Sequence, residues 1–316
     1  MLKFGILTHD QYIRARDLRS LSSSRISYGL LEIGENPTDE EIRRFEDISS
    51  NLGTSNGTFR TTFRHRLRDV DAITLRIVER LYRTDANLYI QDRAVSHGLT
   101  SCELAEQLFQ IFPNAKFEAS DLVLFLFRLS LENGETYIVE PNGQPLQYIK
   151  PPFAVALCHR EPYRYPLNHL VAARARWKFR HLRIPDTWMN SGGGDGYRVE
   201  KMSCIHPDAR SLNKKNPRFQ VRVRSVFEQT PGVDVLRTLN ILNKAYFSGR
   251  QLISAVNAAF HSLKPGGIWI VGRTLEEDLS NHVTFLRRQQ ENWEVLDRIG
   301  NGSEMEEFAA LAPAIL

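Results

Sequence analysis

The fold class this sequence predicts is an open α/β sheet covered by helices, and three observations predict it. Residues 87–121 read as strand, small-residue turn, helix and second strand. Residues 233–271 repeat strand, helix and strand, and both helices carry an apolar stripe at three- and four-residue spacing. Parallel strand–helix–strand crossovers put helices over a sheet, so two such units imply a covered sheet.

The first 85 residues read as a mostly helical lobe. Residues 40–48 are charged with spaced apolar positions, and Val70, Ile73, Ile77 and Leu81 line one helical face. Arg60, Arg64, Arg66 and Arg68, with His65 among them, form either a solvated face or a docking surface for an acidic protein partner.

The first strand covers residues 87–92 and gives way to the turn Ala94-Val95-Ser96-His97-Gly98. Thr100 followed three residues later by Glu103 has the spacing of a capping box, and Leu104, Leu108 and Ile111 then face inward. Pro113-Asn114 stops this helix, and the strand at 116–120 delivers Asp121. An insertion over roughly 130–215 follows. It contains a hairpin around Pro141-Asn142-Gly143, a strand at 153–157, a helix at 167–178 and a glycine-rich loop at 191–196 that reads as a linker or mobile lid. Order resumes with strands at 219–226 and 233–239, a helix at 248–263 and the turn Lys264-Pro265-Gly266-Gly267. A strand at 268–271 and a terminal pair at 283–286 and 293–299 complete the sheet. The expected division is therefore a lobe over 1–85 and an α/β domain over 86–316 carrying the insertion.

Of the 316 residues, 42% are apolar and 25% charged, which suits a packed core. The excess of 41 basic over 37 acidic side chains is too small to point to nucleic acid. No apolar run is long enough to span a bilayer, since Arg128 interrupts the longest, so no membrane is expected. Cys102, Cys158 and Cys204 are sparse and lack CxxC spacing, which suggests a reducing, cytoplasmic compartment. Neither GxGxxG nor GxxxxGK[ST] nor GxSxG occurs where a nicotinamide, P-loop or serine-hydrolase enzyme needs it. Cys158-His159 and Cys204 with His206 do not make a zinc set, so no metal is expected.

Open α/β sheets bind ligands outside the carboxyl ends of their strands. Ser96, His97 and Gly98 lie in the turn that allows close approach there, and Asp121 is placed to accept ribose hydroxyls. Asp92 closes the first strand and could meet a ligand ammonium group. Each has a plain structural alternative: a turn glycine, a strand-end cap and a turn former. His97 and Tyr246 are candidates to line an acceptor pocket, against the alternatives of a loop-shaping histidine and a packed tyrosine. No residue stands out as catalytic.

Asp92-Arg93-Ala94-Val95-Ser96-His97-Gly98, Glu103-Leu104-Ala105 and Ala119-Ser120-Asp121 resemble the ligand-binding half of class I, Rossmann-like, S-adenosylmethionine-dependent methyltransferases. The nearest branch methylates glutamates of bacterial chemotaxis receptors. The later stretch Asp234–Phe247 with Leu263-Lys264-Pro265-Gly266-Gly267 is similar to the same branch, although Leu239 stands where that branch has an arginine. The resemblance implies a class I methyltransferase-like open sheet and S-adenosyl-L-methionine as cofactor. It also implies that Asp121 binds ribose and that Asn240 lies near the methionine part. Two functions follow as expectations: methyl transfer to an unidentified small-molecule or protein acceptor, or a noncatalytic domain of the same fold acting in protein binding.

Overall fold

The computed structural model describes residues 2–22, 25–158 and 165–311. His159 and the chain beyond residue 311 lie outside the described residues. In chain order, helices α1 (His9–Asp17), α2 (Asp39–Ser50) and α3 (Arg68–Leu81) precede strand β1 (Tyr89–Arg93), helix α4 (Leu99–Ile111) and strand β2 (Lys116–Asp121). Six strands follow: β3 (Phe125–Leu131), β4 (Thr136–Val139), β5 (Pro145–Lys150), β6 (Phe153–Ala156), β7 (Gly193–Gly194) and β8 (Tyr197–Ser203). Helix α5 (Pro166–Arg180) lies between β6 and β7. The chain continues through α6 (Pro207–Lys215), β9 (Phe219–Val223), β10 (Val233–Leu239), α7 (Gly249–Ser262), β11 (Leu263–Thr274), β12 (Asn281–Arg288), β13 (Trp293–Ile299) and α8 (Met305–Leu311).

The chain divides into two compact units, one of residues 1–62 with 123–207 and the other of residues 63–122 with 208–316. The lobe expected over 1–85 is thus shared between them. The reason lies in α3. Its Val70, Asp71, Thr74, Ile77 and Val78 are buried, and the helix packs on α4 and β12 of the second unit. Of the four residues expected on its apolar face, Val70 and Ile77 are buried and Ile73 and Leu81 only half-buried, while the buried Asp71 joins an ion pair described below.

The second unit holds a seven-stranded sheet in the order β13, β12, β11, β10, β1, β2, β9. The five strands from β11 to β9 are parallel, and β12 and β13 close the other edge as an antiparallel meander. This is the open α/β sheet covered by helices that the sequence predicts, with the first strand inside the parallel set and the chain leaving it towards opposite edges. One face is covered by α7 and α8, whose Leu252, Val256, Met305 and Phe308 pack on Leu236, Trp269 and Val271. Ser248 and Gln251 form the capping box that starts α7. The expected turn at 264–267 is instead an irregularity inside β11, where the register against β10 shifts.

The first unit is built on a six-stranded antiparallel sheet ordered β6, β5, β4, β3, β8, β7. The period-two alternation of β3 and β4 sends Leu126 and Ile138 to one face and Phe127, Leu129, Tyr137 and Val139 to the other. The first set packs under α1 and α2 through Tyr12, Phe45 and Ile48. The second packs under α5 through Ala172 and Ala175. The expected hairpin is β4–β5 with Gly143 at φ 83°, where a side chain would be strained. The glycine-rich loop is a correction: Gly193 and Gly194 pair with Arg198 and Tyr197 as β7–β8. Among the described residues no helix is long and apolar enough to cross a membrane. The three cysteines are free thiols.

Candidate functional site

The carboxyl ends of β1, β2, β10 and β11 meet along one edge of the second unit's sheet, since Arg93 pairs in register with Ser120 and Thr238, and Thr238 with Val271. The chain leaves β1 towards β2 on one side, while β10 lies on the other, which makes this edge the switch point where such sheets take ligands.

The turn after β1 holds Ala94, Ser96 and Gly98 at φ 60°, 60° and 83°. Only Gly98 adopts that region without a Cβ penalty. A Cβ on Gly98 would sit 3.4 Å from the Ala209 methyl of α6, so this glycine faces a helix of the same unit. Val95 N–H donates to the Ser120 carbonyl at 3.1 Å, and Ser96 N–H donates to Asp121 Oδ2 at 2.8 Å. The turn and the end of β2 therefore form one wall.

Gly98 is the N-cap of α4, which corrects the cap expected at Thr100. Thr100 lies inside the helix, and the Glu103 carboxylate instead accepts the His65 amide at 3.1 and 3.2 Å. Of the basic cluster, Arg64, His65 and Arg68 are exposed, whereas Arg60 is buried and Arg66 half-buried. Arg64 pairs with Asp208 at 2.8 Å, Arg60 is buried and donates to the Val123 carbonyl, and burial lowers the Arg66 pKa.

Asp92 is positioned by parallel register directly beside Arg237. Arg237 donates to Asp92 Oδ2 at 2.5 Å and to Asp71 Oδ1 of α3 at 2.6 Å, and Ser101 Oγ donates to Asp92 Oδ2 at 2.6 Å. All four side chains are buried. Burial opposes the charge on Arg237, yet the Asp92 and Asp71 carboxylates hold its pKa above the ordinary value. One cation cannot fully offset two buried anions, and burial pushes the Asp71 carboxyl up to about 7.

Asn240 follows β10 at φ 64°. Its Oδ1 accepts the Thr274 amide at 2.7 Å and Arg66 Nη2 at 3.3 Å, and its own amide donates to the Gly272 carbonyl at 2.8 Å. Arg66 Nε also reaches Thr274 Oγ1 at 3.1 Å. A groove of about 740 Å³ opens beside these groups, lined by Arg66, Arg68, Asp69, Ala72, Leu279, Ser280, Asn281, Ile299 and Gly300. Gly98 and Asp121 are not part of its lining. His97 is fully buried, whereas Tyr246 is exposed.

S-adenosylmethionine presents a ribose diol at one end and an ammonium and carboxylate at the other. The residues present fit the ribose end: the acidic side chain of Asp121 closes the strand beside β1 and accepts the Ser96 amide of the turn at the sheet's carboxyl edge. They fit the ammonium less well, because Asp92 already neutralises Arg237. The sequence reading missed Asp71 and Arg237, and it put Arg66 in a basic cluster rather than beside Asn240. An arginine at the middle of the apolar run VDVLRTL was the available signal, since a strand buried on both faces takes a cation only if anions lie beside it. Among the described residues no group of three or more His, Cys, Asp or Glu side chains could hold a metal.

No protein-family model matches the chain, and no curated protein matches it in sequence. Solved structures similar to it include the methyltransferase domain of a citrinin polyketide synthase, at 11% identity and a TM-score of 0.35, covering 76% of this chain and 41% of that one. The CurJ carbon methyltransferase matches at 11% identity and 0.31, covering 67% and 35%. A phosphoethanolamine N-methyltransferase of Haemonchus contortus matches at 12% identity and 0.30, covering 65% and 30%. The chain spans less than half the length of these three structures. At these scores the fold assignment rests on the strand order and register given above.

Proposed function

We propose that the second unit binds S-adenosyl-L-methionine at the carboxyl edge of its sheet and transfers the methyl group to an acceptor. The observation that carries this reading is the bond from Ser96 N–H to Asp121 Oδ2, which fixes an acidic side chain against the turn at the switch point. In the bound state Asp121 accepts the ribose hydroxyls, and the turn from Ser96 to Gly98 supplies a backbone wall beside them. Asn240, held by Thr274 and Arg66, lies at the end of β10 towards the methionine part. The bound sulfonium supplies an electrophilic methyl group. The chain's part is to hold donor and acceptor in line and keep water out. The acceptor is a small molecule or a protein side chain, admitted from the side of Asn240 and Tyr246.

A specific observation favours a second reading, in which the fold is kept for protein binding without catalysis. Asp92 and Asn240 are engaged by the protein's own groups, and His97 is fully buried. Hydrogen exchange with and without S-adenosylmethionine separates the two. The catalytic reading predicts new protection over residues 94–101 and at 121–122 and 240–243. Protection nowhere in the second unit supports the noncatalytic reading.

A further inference from the structure

We propose that the outward face of α5 docks on an anionic lipid surface. This goes beyond the methyl-transfer reading and concerns the other unit. Helix α5 is anchored by one face: Asn168, Ala172 and Ala175 are buried on the antiparallel sheet, and Tyr137 Oη donates to the Ala175 carbonyl at 3.3 Å. Its opposite face carries Leu167, Leu170, Arg174, Trp177 and His181, spaced three or four apart and therefore on one stripe. Leu167 is 48% exposed, Leu170 66% and Trp177 62%. Three large apolar side chains in water on one helix face need a covering partner.

Charge selects that partner. No acidic residue occurs from 165 to 185, whereas Arg174, Arg176, Lys178, Arg180 and Arg183 do. Lys178 is used internally by Glu135 and Arg176 by the Leu157 carbonyl. Arg174, Arg180 and Arg183 are exposed and form no ion pair with any described residue. The partner is therefore anionic.

The order along the helix favours lipid over a macromolecule. Apolar Leu167 and Leu170 come first, then Arg174 and Trp177, then Arg180 and Arg183. From Leu167 to Arg180 this order spans about 20 Å of helix, and Arg183 lies just beyond its end. A helix tilted on a bilayer buries its apolar end among acyl chains, sets its tryptophan at the headgroup boundary and leaves its arginines on phosphates. Phe4 extends the apolar end. Asn168 clamps the Lys3 backbone through two bonds of 3.0 Å, and the next residue, Phe4, is 57% exposed and stacked on Phe153. Paired leucines serve no purpose against bases, and a convex helix has no pocket for the anchors of a protein partner. The absence of a membrane-crossing segment bears on spanning alone and leaves surface binding open.

Flotation of the full chain with phosphatidylcholine vesicles, with and without phosphatidylglycerol, tests this. Binding is expected only to the phosphatidylglycerol vesicles and weakens with added salt. Arg174→Ala and Arg180→Ala should each weaken it about five-fold. Leu170→Ser should weaken it about ten-fold or more. These side chains are exposed, so circular dichroism should show each variant folded. Equal binding to pure phosphatidylcholine, no binding to either vesicle, or unchanged binding by the three variants overturns the proposal. So does absence of vesicle binding alongside variant-sensitive binding to a single-stranded polyuridine or a polyglutamate probe.

Discussion

Arg237 of β10 donates to Asp92 of β1 at 2.5 Å, with both side chains buried on neighbouring parallel strands. Asp71 of α3 completes the pair from the covering helix at 2.6 Å. Helix and sheet are thus joined by charge beneath the edge proposed for the ligand, and the cation is shared between two carboxyl groups.

Removing that cation strands both carboxylates. Arg237→Met should destabilise the chain by about 3–5 kcal/mol, the range for breaking a buried pair from one side. Urea unfolding of the variant and the parent chain reads this directly. A loss under about 1 kcal/mol would mean that solvent reaches the triad.

The same triad sets a pH dependence. Asp71 titrates at about 7 when folded, against an ordinary value of 3.8. Between those values the folded chain holds a proton that the unfolded chain has released. Stability from this group is therefore greatest at the acidic end of that window and is lost as pH rises through it. Asp71→Asn, which cannot titrate, should flatten the dependence between pH 5 and 7.5. An unchanged slope in the variant would assign the effect to another group.

Two glycines should rank differently. A Cβ on Gly272 would lie 2.1 Å from the His282 carbonyl oxygen of the adjacent strand, so Gly272→Ala forces β11 and β12 apart. That should cost about 3 kcal/mol or more. Gly98→Ala meets only an ordinary contact and carries chiefly the left-handed backbone penalty, about 1–2 kcal/mol. Thermal melts of both variants give the order, and the reverse order would contradict the close approach of β12.

The parts of this fold that were legible in the sequence are those with one strong period. Strands β1, β2 and β10 read clearly because each is a short segment set between turn signals and helices, and α7 because Leu252, Val256 and Phe260 repeat at helical spacing. Asp121 was readable from its position at a strand end. Strand β8 was not, since Tyr197–Ser203 buries only Val199 and Met202. Its pairing with β3 is also long-range, which no local pattern encodes. The Asp71–Arg237–Asp92 triad was hidden for the same reason, as its members come from three separate segments. The acidic residue expected to meet a ligand is held by an arginine 145 positions away. For the basic cluster before α3, sequence shows charge but not which members stay exposed, as Arg64 and His65 do, and which are buried on a carbonyl, as Arg60 is.

Calorimetric titration of the chain with S-adenosylmethionine, with Asp121→Ala in parallel, tests the central claim most directly. The account predicts saturable binding by the parent chain, weakened about ten- to one-hundred-fold when the charged acceptor for the ribose hydroxyls is removed. No binding heat together with no thermal shift, or equal affinity in the variant, would contradict it.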